Sequence, residues 1–519
     1  MVEGPQPEAL AAQILEFLEA QPSLVLVEGG RILFDLRLAR VTVTAEHGRC
    51  VLHVWSDEQD LIRNVVGVTA RKYGLRLHVL RMGQTKPQTL ELHPQQRKLP
   101  SQRDTARTRY LPVLERACRA AFPDWQMEGL RTAMDLERSF GPAYARGLLV
   151  RGNTAQAVIA INAEESQALI DGVLTLGVLW LHHCREHADG RRHVAGLKVM
   201  VPKGRATVTA ERMAWMDTRA ATWELYELEE ASEQLFLRDH TSQGNLESRL
   251  YHAPDMTAAR ERFGPAIARV RALFPANAAA GVEVVFRSAT EVALLWHGLE
   301  FARVETTVQE NFRHAERTVF GSGASATELS ADTEAKIRGL LRALVERRRP
   351  DGNKRDALYR QQPERWLESR LRQAPEAIDA GLMPEPIYAQ VPAFTAADRA
   401  VLDLLAIRRN GRLVVIEIKA DEDLHLAMQA LDYWIRVRRH QEKSVGTGKS
   451  ELERLGYFPG KVIAAEPPLL LLVAPALRIH PANEVVLRYV SPQVEWTLVA
   501  LDERWRETVR VVFRKRRTP

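Results

Sequence analysis

The chain has 519 residues, with 72 Lys+Arg against 66 Asp+Glu, a net charge of +6 and a pI near 9.2. That length exceeds what one hydrophobic core organises and predicts two to four domains, while 45% hydrophobic and 27% charged residues fit an ordinary globular protein. The charge excess is too thinly spread to predict nucleic-acid binding by itself, no apolar run approaches the roughly 18 residues that span a bilayer, and the isolated Cys50, Cys118 and Cys184 fit neither a disulfide framework nor a zinc knuckle.

The first residues, MVEGPQPEAL, are acidic and lack a basic region followed by an apolar stretch, so no export signal is expected and the predicted location is cytoplasmic. Glu8–Glu19 has helical periodicity. Ser23–Trp55 reads as strands divided at Glu28-Gly29-Gly30 and Glu46-His47-Gly48, giving a small mixed module over residues 1–92. Residues 93–107 are polar and Pro-containing and read as a linker. Within 108–232 the pattern predicts a helix at Tyr110–Ala121, strands at Arg146–Val150 and Ala157–Ile161 joined by Arg151-Gly152-Asn153, a helix at Ser166–Cys184, and a strand at Leu197–Val201 closed by Pro202. Residues 256–345 read as a β-hairpin with a helical connector.

The order seen in 108–232 returns in 355–519. It runs through helix Pro363–Arg372, a strand around Ala400–Ile407, the turn Arg409-Asn410-Gly411, strand Leu413–Lys419, helix Asp423–His440 and strand Leu469–Val473. The apolar run Pro468–Ala476 reads as a buried strand. VIAINAEES from Val158 sets on VIEIKADED from Val415. Pro202 on Pro475 then pairs Arg205 with Arg478, Glu211 with Glu484, Trp223 with Trp496, Leu225 with Leu498 and Leu228 with Leu501 without a gap. An internal duplication is expected, and LARV (Leu38–Val41) against FARV (Phe301–Val304) suggests a β-rich module before each copy. The predicted fold class is α/β (α+β), multidomain, with two mixed sheets flanked by helices.

Chemistry concentrates around Glu417-Ile418-Lys419. Residues two apart on a strand share a face, so Glu417 and Lys419 point the same way. A three-residue loop at Arg409-Asn410-Gly411, with glycine left-handed, would pair Arg408 with Arg412 and set Asp403 opposite Glu417, whereas a two-residue loop would place the acids on opposite faces. The three-residue form is predicted. Two such carboxylates can hold Mg²⁺ or Mn²⁺ through oxygen, and Lys419 beside the ion can orient water and stabilise developing charge on a phosphodiester. On the preceding helix, Glu368 is the candidate third carboxylate for the metal or its water, with Glu364 second. His425, Gln429 and Tyr433 form one helical stripe, a candidate substrate contact or a solvated face.

Asp403, Glu417-x-Lys419 and Gln429-x-x-x-Tyr433, preceded by a Glu-bearing helix, resemble the PD-(D/E)XK nuclease superfamily, in particular RecB-like nuclease domains, Holliday-junction resolvases and branch- or mismatch-cleaving endonucleases. The resemblance covers roughly residues 355–510, and Asp403 lacks a preceding Pro. It implies a restriction-endonuclease-like sheet, a divalent ion at Asp403, Glu417 and Glu368, catalysis by these with Lys419 and Gln429, and nucleic acid as partner, DNA ahead of RNA. In the copy at 108–232 the alignment puts Ala160 at Glu417 and Asn162 at Lys419, with Arg146 at Asp403 and Glu115 at Glu368. That copy is expected to be inactive, so the unit would work as a homodimer or an intrachain pseudo-dimer with one active site per chain, favouring nicks.

The leading expectation is therefore a metal-dependent deoxyribonuclease serving DNA repair or anti-phage defence. The alternatives are a noncatalytic nucleic-acid-binding or scaffold protein with a remnant nuclease fold, and a ligand-gated effector nuclease. The basic runs Glu346–Arg360 and Arg514–Arg517 would then serve as phosphate contacts. Gly446-Thr447-Gly448-Lys449-Ser450 lacks the first glycine of a phosphate loop. The histidines 182, 183, 187 and 193 make a poor metal set, because neighbours on a helix point apart.

Overall fold

The computed structural model describes residues 6–21, 24–28, 31–36, 39–46, 48–55, 60–71, 74–80, 87–94, 102–133, 140–188, 190, 192–241, 248–253, 255–308, 314–321, 326–395, 398–442 and 449–517. It is a multidomain α+β protein whose described strands form four sheets. The chain divides into two compact units. One comprises Met1–Val113 with Asn162–Leu169, and the other Leu114–Ile161 with Ile170–Pro519.

The first unit holds helix Pro7–Ala20 and a seven-stranded antiparallel sheet over residues 24–94. Alternation along Arg49–Trp55 and Gly74–Leu80 turns Leu52, Leu77 and Val79 onto Ile14 of the helix, forming one core. The sheet runs on to Pro94 and a helix starts at Gln102, so the predicted linker shrinks; residues 95–101 lie outside the described residues. Gly29, Gly30, His47 and Leu38 of the LARV echo also lie outside them.

The second unit holds three sheets. The N-terminal one contains β1 (Gln126–Arg131), β2 (Tyr144–Arg151), β3 (Thr154–Ile161), β4 (His193–Pro202), β5 (Thr222–Glu229) and β6 (Gln234–Arg238), side by side in that order. Helix α1 (Val173–Glu186) links β3 to β4, and α2 (Thr207–Met213) links β4 to β5. The C-terminal sheet contains β7 (Ser248–Leu250), β8 (Tyr388–Thr395), β9 (Asp398–Ile407), β10 (Leu413–Ile418), β11 (Leu469–Pro475), β12 (Trp496–Leu501) and β13 (Val511–Arg516), again in that order. Here α3 (Pro363–Gln373) precedes β8, α4 (Leu426–Glu442) links β10 to β11, and α5 (Pro481–Arg488) links β11 to β12. The third sheet is a five-stranded antiparallel meander over residues 283–328, packed with helices Met256–Arg271 and Glu334–Arg347.

Strands β1 to β6 and β8 to β13 repeat one series of pairings: antiparallel, antiparallel, parallel, parallel, antiparallel. Central strands flanked by helices on both faces read as continuous apolar runs, as in LVVIEI and LLLLVAP, both wholly buried. The match of Trp223 with Trp496 falls on one rung, since Leu197 pairs with Trp223 and Leu470 with Trp496.

The register corrects the strand alignment by one residue. Ile159 pairs with Val199 in the N-terminal sheet, and Glu417 pairs with Leu472, the counterpart of Val199, in the C-terminal sheet. Ile159 also faces α1, because a Cβ on Gly177 would lie 2.8 Å from its Cγ2 and 2.9 Å from a Leu197 methyl. Ile159 and Ile161, not Ala160 and Asn162, therefore occupy the places of Glu417 and Lys419. Arg146, opposite Ile159, occupies that of Asp403. The cause is the hairpin: Arg151 pairs with Thr154 across two residues, whereas Arg408 bonds Arg412 across three. A one-residue slip moves every side chain to the other face of the sheet.

Candidate active site

Three strands bring one rung of polar side chains to the C-terminal sheet. Leu404 pairs with Ile416 and Ala406 with Val414, a register that continues to Asp403 opposite Glu417. The turn that sets it is the three-residue form: Arg408 N–H donates to Arg412 O at 2.8 Å, Gly411 N–H donates to Arg408 O at 2.9 Å, and Gly411 has φ +86°. Only glycine fits there, since a Cβ would lie 2.4 Å from Val462 O. Val414, Ile416 and Ile418 join Trp366, Leu367 and Leu371 of α3 in the core, which leaves Glu417 on the face toward α4.

The Asp403 and Glu417 carboxyls lie within each other's field, and Ile418 N–H donates to Asp403 Oδ2 at 3.0 Å. Glu417 is 2% exposed, and its Oε2 is buried with no hydrogen-bond partner. Burial, then the neighbouring Asp403 charge, pushes the Glu417 carboxyl well above the ordinary range. Asp403 is raised by burial as well, against the opposing pull of Ile418 N–H and Lys419. Lys419 Nζ lies 3.6 Å from Glu417 Oε1, 3.6 Å from Asp423 Oδ2 and 3.9 Å from Glu364 Oε1. Burial pushes the ammonium pKa down, yet Glu417, Glu364, Asp423 and Asp403 outweigh it and hold Lys419 charged.

Glu368 on α3 is 6% exposed, and burial pushes its carboxyl up to about 7. Its Oε2 accepts from Gln390 Nε2 at 2.8 Å and from Arg365 at 3.0 Å. Gln390 was not legible as a site residue. It stands on β8 between Ala389, opposite Leu404, and Val391, opposite Leu402, and so on the rung of Asp403, with a left-handed φ of +55°. A non-glycine residue there is strained, and such strain persists where the surroundings over-determine it.

The predicted helical stripe divides. Tyr433 lies within the field of Glu417 and Asp403, which add to burial in raising its phenol pKa. Gln429 is half-buried one turn earlier on α4. His425 precedes α4, and its Nδ1 lies 3.1 Å from Thr175 Oγ1 of α1, so its ring packs against the N-terminal sheet's helix. Glu115 forms an exposed pair with Arg119 at 3.1 Å.

Some of the expected phosphate contacts are committed within the protein, whereas Arg347, Arg349, Lys354, Arg355, Arg360 and Arg516 are exposed. Arg348 is wholly buried and donates to the carbonyls of His297, Leu358 and Gln361. Arg514 donates to Ile378 O at 3.2 Å, Lys515 pairs with Glu484, and Arg517 donates to Asp217 Oδ2 at 2.9 Å. Gly446, Thr447 and Gly448 lie outside the described residues, and Ser450 caps the helix Glu451–Arg454 through a capping box. All three cysteines are buried.

Among the described residues no three His, Cys, Asp or Glu side chains converge to hold a metal ion. The Asp403–Glu417 pair nevertheless suits a hard cation. Mg²⁺ keeps several waters and is commonly bound through one or two carboxylates, and a buried carboxylate oxygen without a hydrogen-bond partner is the donor such an ion satisfies.

No family model matches the sequence, and no curated protein matches it. Two solved structures align with part of the chain. A repair endonuclease from Pyrococcus abyssi is 12% identical, with 44% of this chain and 97% of that one covered at a TM-score of 0.18. An EndoMS–dsDNA complex is 10% identical, with 44% and 95% covered at a TM-score of 0.18. Likeness at that score is too slight to bear on fold or chemistry. Among the described residues no helix is long and apolar enough to cross a membrane.

Proposed function

We propose that the C-terminal sheet is a divalent-metal-dependent nuclease of the PD-(D/E)XK kind, hydrolysing phosphodiester bonds of DNA ahead of RNA. The observation that carries this reading is the Asp403–Glu417 rung with Glu417 Oε2 buried and unpartnered beside Lys419. Asp403 and Glu417 would hold Mg²⁺ or Mn²⁺, with Glu368 Oε1, the oxygen not committed to Gln390 and Arg365, toward the ion or its water. When bound, the ion supplies Lewis acidity and makes water a better nucleophile at neutral pH.

The protein's own groups account for the rest. Lys419 stays protonated and can donate to a phosphate oxygen as negative charge builds there. Glu368, with its pKa near 7, can hold or release a proton at physiological pH. Gln429 and Tyr433 on α4 would contact the substrate backbone. The N-terminal sheet, with Arg146, Ile159 and Ile161 in the corresponding places, has no acidic pair there and would be inactive.

Incubation with circular and linear, single- and double-stranded DNA plus Mg²⁺ or Mn²⁺ tests the proposal. Cleavage is expected from the native chain and not from Asp403→Ala or Lys419→Ala. Activity that survives both substitutions removes the site assignment, and no cleavage of any substrate removes the nuclease reading.

A further inference from the structure

We infer that the N-terminal and C-terminal sheets form an internal pseudo-dimer that straddles duplex nucleic acid and breaks one strand per binding event. This rests on the nuclease reading above and adds the form of the substrate and of the product.

The contacts between the two sheets have the reciprocity of an isologous interface, in which element i of one half meets element j of the other and the reverse. Helix α1 packs on α5, and α4 packs on α2. The segments following α2 and α5 meet each other antiparallel at Met216 and Val490. There Asp217 N–H donates to Tyr489 O at 2.8 Å and Ser491 N–H donates to Trp215 O at 2.7 Å. Equivalent segments paired antiparallel are what a local two-fold axis requires. The aromatic contacts repeat the exchange: Trp215, after α2, lies edge-on to Trp434 of α4 at 4.7 Å, and Tyr489, after α5, lies edge-on to His182 of α1 at 6.1 Å.

Charge closes the interface. Arg212 of α2 makes a two-pronged contact with Asp432 of α4 at 2.8 and 2.6 Å, and both side chains are largely buried. The surface through which two such domains would associate is therefore already filled within one chain. Removing one partner of a buried pair leaves the other charge uncompensated, so Arg212→Ala is expected to unfold at a lower urea concentration than wild type; a midpoint equal to wild type would show that the pair does not hold the two sheets.

Duplex nucleic acid has two-fold axes across its helix, and a two-fold protein places equivalent elements on its two strands. In this chain only one of the two equivalent positions carries acids: Asp403 and Glu417 in the C-terminal sheet correspond to Arg146 and Ile159 in the N-terminal sheet. The second half therefore lacks the acids to cut a strand placed against it.

The test uses the full chain on supercoiled plasmid with Mg²⁺ under single-turnover conditions, together with its solution mass and a hydroxyl-radical footprint of Glu417→Gln on linear duplex. The expected results are a 58.6 kDa monomer, open circles accumulating to near completion before linear product, and protection of both strands to comparable extent about the scissile phosphate. Linear product rising in step with open circles from the first time point would overturn the inference and leave the nuclease reading intact, as would protection confined to one strand. A chain that cuts no nucleic acid overturns both.

Discussion

Glu417→Gln is expected to lose cleavage by about 10³-fold and, in EDTA, to melt at a higher temperature than the native chain. Burial and the Asp403 charge raise the folded-state pKa of Glu417 above its unfolded value. The folded protein thus holds a proton that the unfolded chain has released, so the carboxyl costs stability as pH rises from its unfolded value of roughly 4.3 toward its raised folded value. The amide removes that cost. Its thermal advantage should be absent near pH 4 and grow toward neutral pH. Added Mg²⁺ should then reverse the order, because an ion that binds only the folded native chain stabilises it by mass action. Differential scanning fluorimetry across pH, with and without Mg²⁺, measures both effects. A variant less stable than wild type at pH 8 in EDTA would show that the pair is structural.

Lys419→Met separates chemistry from binding. The ammonium is held by Glu417, Asp423 and Glu364 at 3.6–3.9 Å, and its proposed role is to act on charge that develops at phosphate during cleavage. Its loss should lower kcat by about 10²–10³-fold, with KM for duplex DNA and the Mg²⁺-induced thermal shift little changed. An increase in KM alone would make Lys419 a binding residue.

Much of this site was legible because strand chemistry is local. Period-two alternation placed Glu417 and Lys419 together, and a glycine that can take φ +86° selected the turn that sets Asp403 opposite Glu417. The ordered recurrence of elements and the match of Trp223 with Trp496 located two sheets of identical pairing order. Other features depend on nonlocal geometry. Gln390 reaches Glu368 only because β8 pairs with β9 and the backbone turns left-handed there, and nothing in Tyr388-Ala389-Gln390-Val391 signals it. The letters VIAINAEES match VIEIKADED one residue out of step because the first hairpin is one residue shorter, a difference that appears only in the register. Arg348 looked like a surface cation in a basic run, yet the carbonyls of His297, Leu358 and Gln361 converge on it in the core.

The proposed function requires Asp403 and Glu417 to seat a divalent cation. Crystals equilibrated with Mn²⁺ and measured at the manganese absorption edge test it most directly. One anomalous peak is expected within coordination distance of Asp403 and of Glu417 Oε2, lost in Glu417→Gln. A native crystal with no peak there, or one whose manganese binds only elsewhere, would contradict it.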